Sequence, residues 1–251
     1  MSRPLIAIPG RFTESTSALR RRGVVNARAL LQAVYAAGGE PLTVFPDADP
    51  TPERLDWCDG LLLPGGGDLA PRFYGQDWAS EHLYDIDETQ DEFDLAAVRW
   101  AEAAGTPMLS ICRGTQVVNT VHGGDLEQHM AEGHQYLTHE VAVRSPALAA
   151  ILGGERAQVF CHHHQRIRRL GDGLACAATC RDGTVEAMVA ADTTRWYLGL
   201  QWHPEDTAAT DRRQAGLFEV FVAAAREWRD AKRAPRSDHG VATGGEERRD
   251  G

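Results

Sequence analysis

The chain has 251 residues, of which 43% are hydrophobic, and this size fits one domain with a packed core. Its 26 basic and 36 acidic side chains give a formal net charge of −10, which argues against a nucleic-acid surface because phosphates attract basic faces. The first apolar run is too short for a signal peptide, no stretch reaches the roughly 20 apolar residues that span a bilayer, and the 5 unpatterned cysteines predict a reduced, cytoplasmic protein.

Short apolar stretches alternate with segments of helical periodicity along the chain. Strands that are apolar throughout are typical of a parallel sheet covered by helices on both faces. The predicted strands are residues 5–8, 42–44, 60–63 and 108–111, and the predicted helices are residues 27–37, with Asn26 as N-cap, and 91–104. Further strands are predicted around residues 140–143, 158–160, 184–189 and 196–200, and a closing helix around residues 211–228. We therefore expect a flavodoxin-like α/β fold with a mostly parallel central sheet flanked by helices and extra short strands in the second half.

The end of the chain differs in composition from the rest. After residue 231 it has almost no apolar side chains, and such segments cannot bury enough surface to fold. The sequence predicts one catalytic domain over residues 1–231 and a disordered tail over residues 232–251.

Cys112 lies in the segment Met108-Leu-Ser-Ile-Cys112-Arg-Gly-Thr-Gln116. The segment is typical of an apolar strand that turns tightly into a helix, with the small residues Ser110 and Gly114 two positions to each side of the cysteine. A helix N-terminus favours a thiolate over a thiol. The pattern predicts a nucleophile at Cys112, although by itself it also fits a buried structural cysteine.

A second segment, residues 196–205, ends in His203-Pro204-Glu205. An extended backbone places residues i and i+2 on the same side, and proline restricts both itself and the residue before it. One imidazole nitrogen can then bond Glu205 while the other faces Cys112. These three residues are the nucleophile, base and orienting carboxylate that covalent acyl transfer requires, whereas a lone histidine at a strand end is more often an ordinary core or surface residue.

Three consecutive glycines, residues 65–67, follow the predicted strand at residues 60–63. Glycines let backbone N–H groups approach a ligand closely, and attack on an amide carbonyl creates an oxyanion that such groups stabilise. The backbone N–H groups of Gly66 and Arg113, with Gly67 close behind, are the predicted oxyanion hole. A flexible turn is the alternative for the glycine run.

Several motifs carry a family likeness over residues 5–228. They are Pro64-Gly-Gly-Gly-Asp-Leu-Ala-Pro-Arg-Phe-Tyr-Gly75, Ile111-Cys-Arg-Gly-Thr-Gln116, His163-His164-Gln165, Val185-Glu186-Ala187 and Gln201-Trp-His-Pro-Glu205. Together they resemble the class I glutamine amidotransferase-like superfamily, which uses a Cys-His-Glu triad on an α/β fold. Within it, the chain is most similar to γ-glutamyl hydrolases of the peptidase C26 type, typified by γ-glutamyl-γ-aminobutyrate hydrolase.

The resemblance also implies a substrate pocket. It implies that Gln116 contacts the glutamyl head group and that His163, His164 and Gln165 line the γ-glutamyl site. Ordinary structural packing is the alternative for each of them, and Glu186 is similar to a family position near the site without a defined role.

The histidine-rich run at residues 161–165 raises the question of a metal site. Adjacent histidines on a strand point to alternate faces and cannot all reach one ion, and Cys176 and Cys180 lack neighbours in sequence that would complete a zinc motif. We therefore expect no metal and no organic cofactor. If a metal were bound, His129, His134 and His139 would be further possible ligands beside this run.

The predicted activity is cysteine-dependent hydrolysis of the γ-glutamyl amide bond of a γ-glutamyl amine, such as γ-glutamyl-GABA or a polyamine-type conjugate, through a γ-glutamyl thioester. The expected partner is this small-molecule substrate, with no nucleic acid and no membrane, and a homodimer is compatible with the sequence. Two alternatives stay open: a glutaminase subunit that delivers ammonia to a separate synthetase, and a non-catalytic ligand-binding member of the fold.

Overall fold

The computed structural model describes residues 2–16, 21–47, 54–192 and 194–234. The strands are β1 (Leu5–Pro9), β2 (Arg11–Thr13), β3 (Gly23–Val25), β4 (Glu40–Val44), β5 (Gly60–Leu63), β6 (Met108–Ile111), β7 (Asp125–Glu127), β8 (His134–Val143), β9 (Arg156–His163), β10 (Arg166–Arg169), β11 (Leu174–Cys180), β12 (Val185–Ala190) and β13 (Tyr197–Leu200). The α-helices are α1 (Arg28–Ala36), α2 (Glu88–Ala104), α3 (Arg113–Val121), α4 (Pro146–Leu152) and α5 (Arg212–Arg233). None of these described helices is both long and apolar enough to cross a membrane.

A 9-stranded sheet in the order β4-β1-β5-β6-β13-β12-β11-β8-β9 organises the fold. The strands from β4 to β13 pair in parallel, and those from β13 to β9 pair antiparallel. The smaller pairs β7 with β10 and β2 with β3 lie outside this sheet. The predicted α/β class, with a parallel core and extra strands from the second half, is confirmed.

The inner parallel strands β1, β5, β6 and β13 are buried on both faces, whereas the edge strand β4 is partly exposed. Successive side chains of a strand alternate between faces, so Leu62 packs into one hydrophobic cluster while Leu61 and Leu63 pack into another. The first cluster includes Phe218 and Phe221 of α5, and the second includes side chains of α2 and α3. Burial on both sides explains why these strands are apolar throughout. Polar groups can lie beyond the strands, at the carboxyl ends of β5, β6 and β13.

Two predicted helix boundaries are wrong at their N-terminal ends. Asn26 does not cap α1, because its amide donates to the Ile8 carbonyl and the Thr43 hydroxyl and thereby joins β1 to β4. The second helix begins earlier than residue 91, because Asp87 is the N-cap and accepts a hydrogen bond from the Gln90 backbone N–H. Early capping adds a full turn to α2.

The closing helix is longer than predicted. Since α5 continues to Arg233, residues 232 and 233 belong to it and not to the expected tail. The rest of that predicted tail, residues 235–251, lies outside the described part of the chain.

Candidate active site

Cys112 occupies a strained turn between β6 and α3. Its backbone has φ 49° and ψ −110°, a left-handed conformation that costs energy in any residue with a side chain. The Cys112 N–H donates to the Leu200 carbonyl at 2.7 Å, which joins the turn to the end of β13. Beneath it, the Ser110 hydroxyl bonds both Thr115 and Tyr197 at 3.0 and 2.9 Å. The predicted strand-to-helix elbow is therefore present, with its side chain held at the carboxyl end of β6.

Gly114 allows this elbow to form. A Cβ atom at this position would lie 2.4 Å from the Leu63 carbonyl oxygen, which is a clash with backbone. We expect Gly114→Ala to destabilise the fold by about 1–3 kcal/mol and to lower activity, because the turn must move to make room. Guanidinium chloride unfolding measures the first effect.

The matched control for this substitution is Gly216→Ala in α5. There the nearest atom to the added Cβ is a side-chain methyl of Ile151 at 3.2 Å, and alanine is the better helix former. Equal unfolding midpoints for wild type and Gly114→Ala would show that the elbow does not depend on this close approach.

His203 and Glu205 meet just beyond the end of β13. The His203 N–H donates to the Phe160 carbonyl at 2.9 Å, and its ring Nδ1 lies 2.7 Å from Glu205 Oε1. The backbone here is not extended as predicted, because Pro204–Asp206 forms a 3-10 turn with proline at its start. Proline favours the first position of a helical turn, since it has no N–H to leave unpaired.

His203 also lies beside Cys112. A Cβ atom added to Gly65 would stand 2.8 Å from His203 Cε1 and 3.6 Å from Cys112 Cβ, so both side chains flank the same glycine. Burial opposes a charged imidazole, but the neighbouring Cys112 sulfur and Glu205 carboxylate together raise the pKa of His203 well above its usual range. The three residues that sequence analysis predicted as a group are therefore neighbours in the structure.

The glycine loop lies against Arg11. The Arg11 guanidinium donates to the Pro64 and Gly65 carbonyl oxygens, each at 2.9 Å, and a Cβ on Gly66 would stand 2.8 Å from its Nε. At Gly67 a Cβ would lie 2.3 Å from the Asp85 carbonyl oxygen. Side chains are thus excluded at both positions, and the loop backbone is held from behind.

Two backbone N–H groups near Cys112 remain available. Within the described part of the chain, neither the Gly66 nor the Arg113 N–H donates to a protein acceptor. Arg113 is the first residue of α3, where the N–H groups have no partner within the helix. Both groups are therefore free to bind an anion, and their role as the oxyanion hole stays a prediction.

The Arg113 side chain belongs to a buried network that the sequence did not reveal. It pairs with Asp91 and Asp94, and Asp94 also accepts from Arg11 at 2.7 Å. Burial, together with the charge of Arg113, lowers the pKa of Arg11 to about 10. The network connects α2, α3 and the glycine loop, and so fixes the two backbone N–H groups relative to each other.

Gln201 connects Gln116 to the sulfur. Its Nε2 lies 3.6 Å from Cys112 Sγ, and its Oε1 accepts a long hydrogen bond of 3.4 Å from Gln116. The family resemblance implies a substrate contact for Gln116 but no role for Gln201. The signal was available, because Gln201 stands two residues before His203 at the end of an apolar strand.

The residues expected to line the pocket have other partners in the structure. The two ring nitrogens of His163 contact Glu186 at 3.2 Å and the Gln165 carbonyl at 2.9 Å, and His164 Nε2 contacts Asp68 at 3.0 Å. Gln165 donates to the Gln128 carbonyl at 3.3 Å, while its own buried Oε1 has no hydrogen-bond partner among the described residues. Direct substrate contact by these side chains therefore remains a prediction, with Gln165 Oε1 as the available acceptor.

A cavity of about 220 Å³ adjoins the glycine loop on the side of Arg11. Gly66, Gly67 and Arg113 contribute to its wall, but Cys112 and His203 do not. Among the described residues, two groups of side chains could hold a metal ion. They are His134, Cys161, His163 and Glu186, and His134, His139 and Cys180.

The chain is similar in sequence and in fold to known proteins. The protein Rv2859c of Mycobacterium tuberculosis, named provisionally as a glutamine amidotransferase, is 36% identical over 210 residues, which cover 77% of this chain and 65% of that protein. The γ-glutamyl-γ-aminobutyrate hydrolase PuuD of Escherichia coli is 29% identical over 217 residues, which cover 77% of this chain and 84% of PuuD. A Thermoplasma acidophilum crystal structure, described provisionally as one of the subunits of GMP synthase, shares the fold with a TM-score of 0.66 at 19% identity, covering 93% of this chain and 100% of that one.

A family model described as Peptidase C26 matches residues 4–205. The match extends from the first strand through the Cys112 elbow to Glu205, and thus includes every element that brings the three predicted residues together. The chain therefore belongs to the peptidase C26 family.

Proposed function

We propose that this protein is a cysteine-dependent γ-glutamyl hydrolase that cleaves the amide bond between a γ-glutamyl group and an amine. One observation carries the proposal: Cys112, on its strained elbow, lies beside a His203 ring that Glu205 holds through Nδ1 at 2.7 Å. The raised pKa of His203 favours the imidazolium form, which is the form that can protonate a leaving amine.

In the proposed first half of the reaction, the Cys112 thiolate attacks the γ-carbonyl carbon. The Gly66 and Arg113 N–H groups bind the resulting oxyanion. The C–N bond then breaks as the His203 imidazolium gives its proton to the leaving amine nitrogen. A γ-glutamyl thioester on Cys112 remains, with His203 neutral.

In the second half, His203 accepts a proton from water while the water oxygen attacks the thioester carbonyl. The C–S bond breaks, which releases glutamate and restores the thiolate and the imidazolium. Glu205 holds the ring in one orientation and stabilises its charged form throughout. These steps use only the side chains and backbone of this chain.

The position of Tyr136 supports a binding site for the amine portion of the substrate next to the Cys112 sulfur. Its side chain is 73% exposed, yet its ring lies 4.0 Å, between centroids, from that of His162. The His162 carbonyl is 4.0 Å from Cys112 Sγ, and its ring centroid is 6.3 Å from that of His203. We propose that Tyr136 and His162 form one wall of the leaving-group site.

The backbone of Tyr136 supports this role. Its φ is 55°, at an irregularity in the pairing of β8 with β9, and left-handed conformations of non-glycine residues concentrate at functional sites. We expect Tyr136→Gly to leave stability unchanged or raise it by up to about 1 kcal/mol, because glycine relieves the strain, while kcat/KM falls about tenfold through KM.

Tyr136→Ala separates the two effects, since it removes the ring but keeps the strained Cβ. It should lose the same activity as Tyr136→Gly and be less stable than that variant, as measured by thermal unfolding and steady-state kinetics. Full activity in both variants would exclude Tyr136 from the amine site.

A turnover screen tests the proposed function itself. The purified full-length chain is incubated with glutamine and with γ-glutamyl amides of GABA, diamines and polyamines, and glutamate and free amine are quantified. We expect equimolar glutamate and amine from at least one γ-glutamyl amine, with much slower release of ammonia from glutamine. The absence of turnover on every γ-glutamyl amine would contradict the hydrolase proposal.

Glutaminase activity is the second candidate, because Rv2859c carries a provisional glutamine amidotransferase name. In that case the same chemistry would release ammonia for a separate synthetase. Ammonia release that depends on an added partner protein would favour this activity over hydrolysis of a larger amide.

For either activity we place the protein in a reducing, cytoplasmic environment. Such an environment suits the free cysteines Cys58, Cys112, Cys161, Cys176 and Cys180.

A further inference from the structure

Metal-ligating side chains converge in the antiparallel half of the sheet. His134 begins β8, Cys161 and His163 lie on β9, and Glu186 lies on β12. One ligand atom from each lies within 4.8 Å of the others, and all four residues are buried. The sequence separates them by up to 52 residues, from His134 to Glu186, and the pairing of β8 with β9 aligns His134 directly with His163.

The distances within this cluster resemble those around a tetrahedral zinc ion. Glu186 Oε1 lies 3.0 Å from His134 Nδ1 and 3.2 Å from His163 Nε2, and Glu186 Oε2 lies 3.7 Å from Cys161 Sγ. With bonds of about 2.0 Å to nitrogen or oxygen and 2.3 Å to sulfur, the edges of a tetrahedral zinc shell are about 3.3 to 3.5 Å. The three distances between His134, His163 and Cys161 are each at most 4.8 Å, so these side chains must move inward to close around an ion.

The hydrogen-bonding capacity of the two histidines also indicates an ion. His134 has Glu186 at one ring nitrogen and Asp182 at the other, at 3.0 and 3.1 Å. His163 likewise has Glu186 at one nitrogen and the Gln165 carbonyl at the other. All four contacts are to acceptors, and a neutral imidazole can donate to only one of its two partners.

A metal ion resolves this arrangement. Each neutral ring then directs one lone pair at the ion and donates its other N–H outward, to Asp182 from His134 and to Gln165 from His163. Such outer partners, a carboxylate and a backbone carbonyl, are typical of metal-bound histidines. The thiolate of Cys161 and the carboxylate of Glu186 balance the charge of a divalent ion, so the buried centre has no net charge.

We propose that His134, Cys161, His163 and Glu186 form a structural zinc-type site. Nitrogen, oxygen and thiolate ligands together suit Zn²⁺ and exclude Mg²⁺ or Ca²⁺, which take oxygen ligands. On binding, the Cys161 thiol releases its proton to solvent. The Cys180 thiol, 3.5 Å from Glu186 Oε1, is the nearest alternative sulfur.

The site would stabilise the segment that borders the sulfur of Cys112. His162, whose carbonyl lies 4.0 Å from Cys112 Sγ, stands between the two proposed ligands of β9. The Glu186 carbonyl accepts from the Gln201 N–H at 2.7 Å, which joins β12 to the segment between β13 and His203. This proposal departs from the expectations, drawn from sequence, that no metal is bound and that His163 contacts the substrate, because the ion and Gln165 occupy both of its ring nitrogens. It does not depend on the proposed hydrolase activity.

The first test uses the wild-type full-length chain, stripped with a chelator under reducing conditions and titrated with Co²⁺. Tetrahedral cobalt bound by a thiolate gives intense visible bands and a sulfur-to-cobalt charge-transfer band. We expect these bands to saturate at one equivalent and to disappear when Zn²⁺ is added. A chain that shows no such bands and takes up no Zn²⁺ overturns the proposal.

Cys161→Ser tests the assignment of the ligands, with Cys176→Ser as the matched control. Cys176 lies on neighbouring β11 and is outside both candidate groups. We expect Cys161→Ser to lose the charge-transfer band and at least tenfold in Zn²⁺ affinity, and Cys176→Ser to keep both. A band retained in Cys161→Ser places the ion elsewhere and overturns the assignment.

Thermal unfolding supplies an independent readout. Zn²⁺ should raise the Tm of wild type and of Cys176→Ser in a concentration-dependent way, because a ligand that binds only the folded state stabilises it. The Tm of His134→Gln should not respond. An equal response in His134→Gln, or no response in wild type, contradicts a structural site at these residues.

Discussion

Replacement of Cys112 by alanine should reduce turnover to below about 10⁻⁴ of the wild-type rate, because no thioester can form without the sulfur. The fold should survive, since alanine keeps the Cβ that the elbow already accommodates and removes only one small group. We expect the free energy of unfolding to change by no more than about 1–2 kcal/mol. Steady-state kinetics on the best γ-glutamyl amide and guanidinium chloride unfolding measure the two effects.

Cys176→Ser is the control for thiol loss in general. Cys176 is half-buried on β11 and contacts the Ala178 carbonyl at 3.6 Å, away from the elbow. It should retain wild-type kinetics. A folded Cys112→Ala variant with appreciable turnover would exclude the thioester route, and would equally disfavour any glutaminase reaction at this site.

Replacement of His203 by asparagine should lower kcat/KM by about 10⁴-fold or more, because asparagine can neither accept the water proton nor protonate the leaving amine. Asparagine can still bond Glu205, so the short turn after β13 should persist and the Tm should change little. Kinetics, with circular dichroism as the check on folding, test this expectation.

His82→Asn is the matched control, since His82 is exposed and stacks on His129 at 3.9 Å between ring centroids. It should be as active as wild type. A His203→Asn variant that retains rates near wild type would show that another group carries the proton, and the assignment of the triad would then be wrong.

The parallel half of the fold was predictable because burial on both faces leaves a clear mark on sequence. Residues 60–63 and 108–111 are confirmed as strands with the predicted bounds. In contrast, β11 was missed, because Leu174-Ala-Cys-Ala-Ala-Thr-Cys180 consists mostly of small residues and shows neither a long apolar run nor a clear alternation. Propensity alone does not identify a strand whose stability comes from its two neighbours.

The candidate triad was predictable for a related reason. Cys112 and His203 stand at the ends of β6 and β13, and adjacent parallel strands bring their carboxyl ends together. The predicted contact between His203 and Glu205 is present, but the predicted backbone conformation is wrong. A 3-10 turn, and not an extended chain, places His203 Nδ1 2.7 Å from Glu205 Oε1.

Long-range side-chain groupings could not be read from spacing. The cluster around Glu186 depends on the register between β8 and β9, which aligns His134 with His163. The pairing of Arg113 with Asp91 and Asp94 depends on how α2 packs against α3. Cys180 has no neighbours in sequence that would complete a zinc motif, yet the sheet places its sulfur 3.5 Å from Glu186 Oε1.

Acid-quenched mass spectrometry during turnover tests the central claim most directly. The chain is mixed with an excess of a γ-glutamyl amide, stopped in acid where a thioester survives, and digested for peptide mapping. We predict one γ-glutamyl group on the peptide that contains Cys112, formed at a rate no slower than kcat and absent from Cys112→Ala. Amine release by the wild-type chain with no acyl group on Cys112 at any time, or with the acyl group on another residue, would contradict the account.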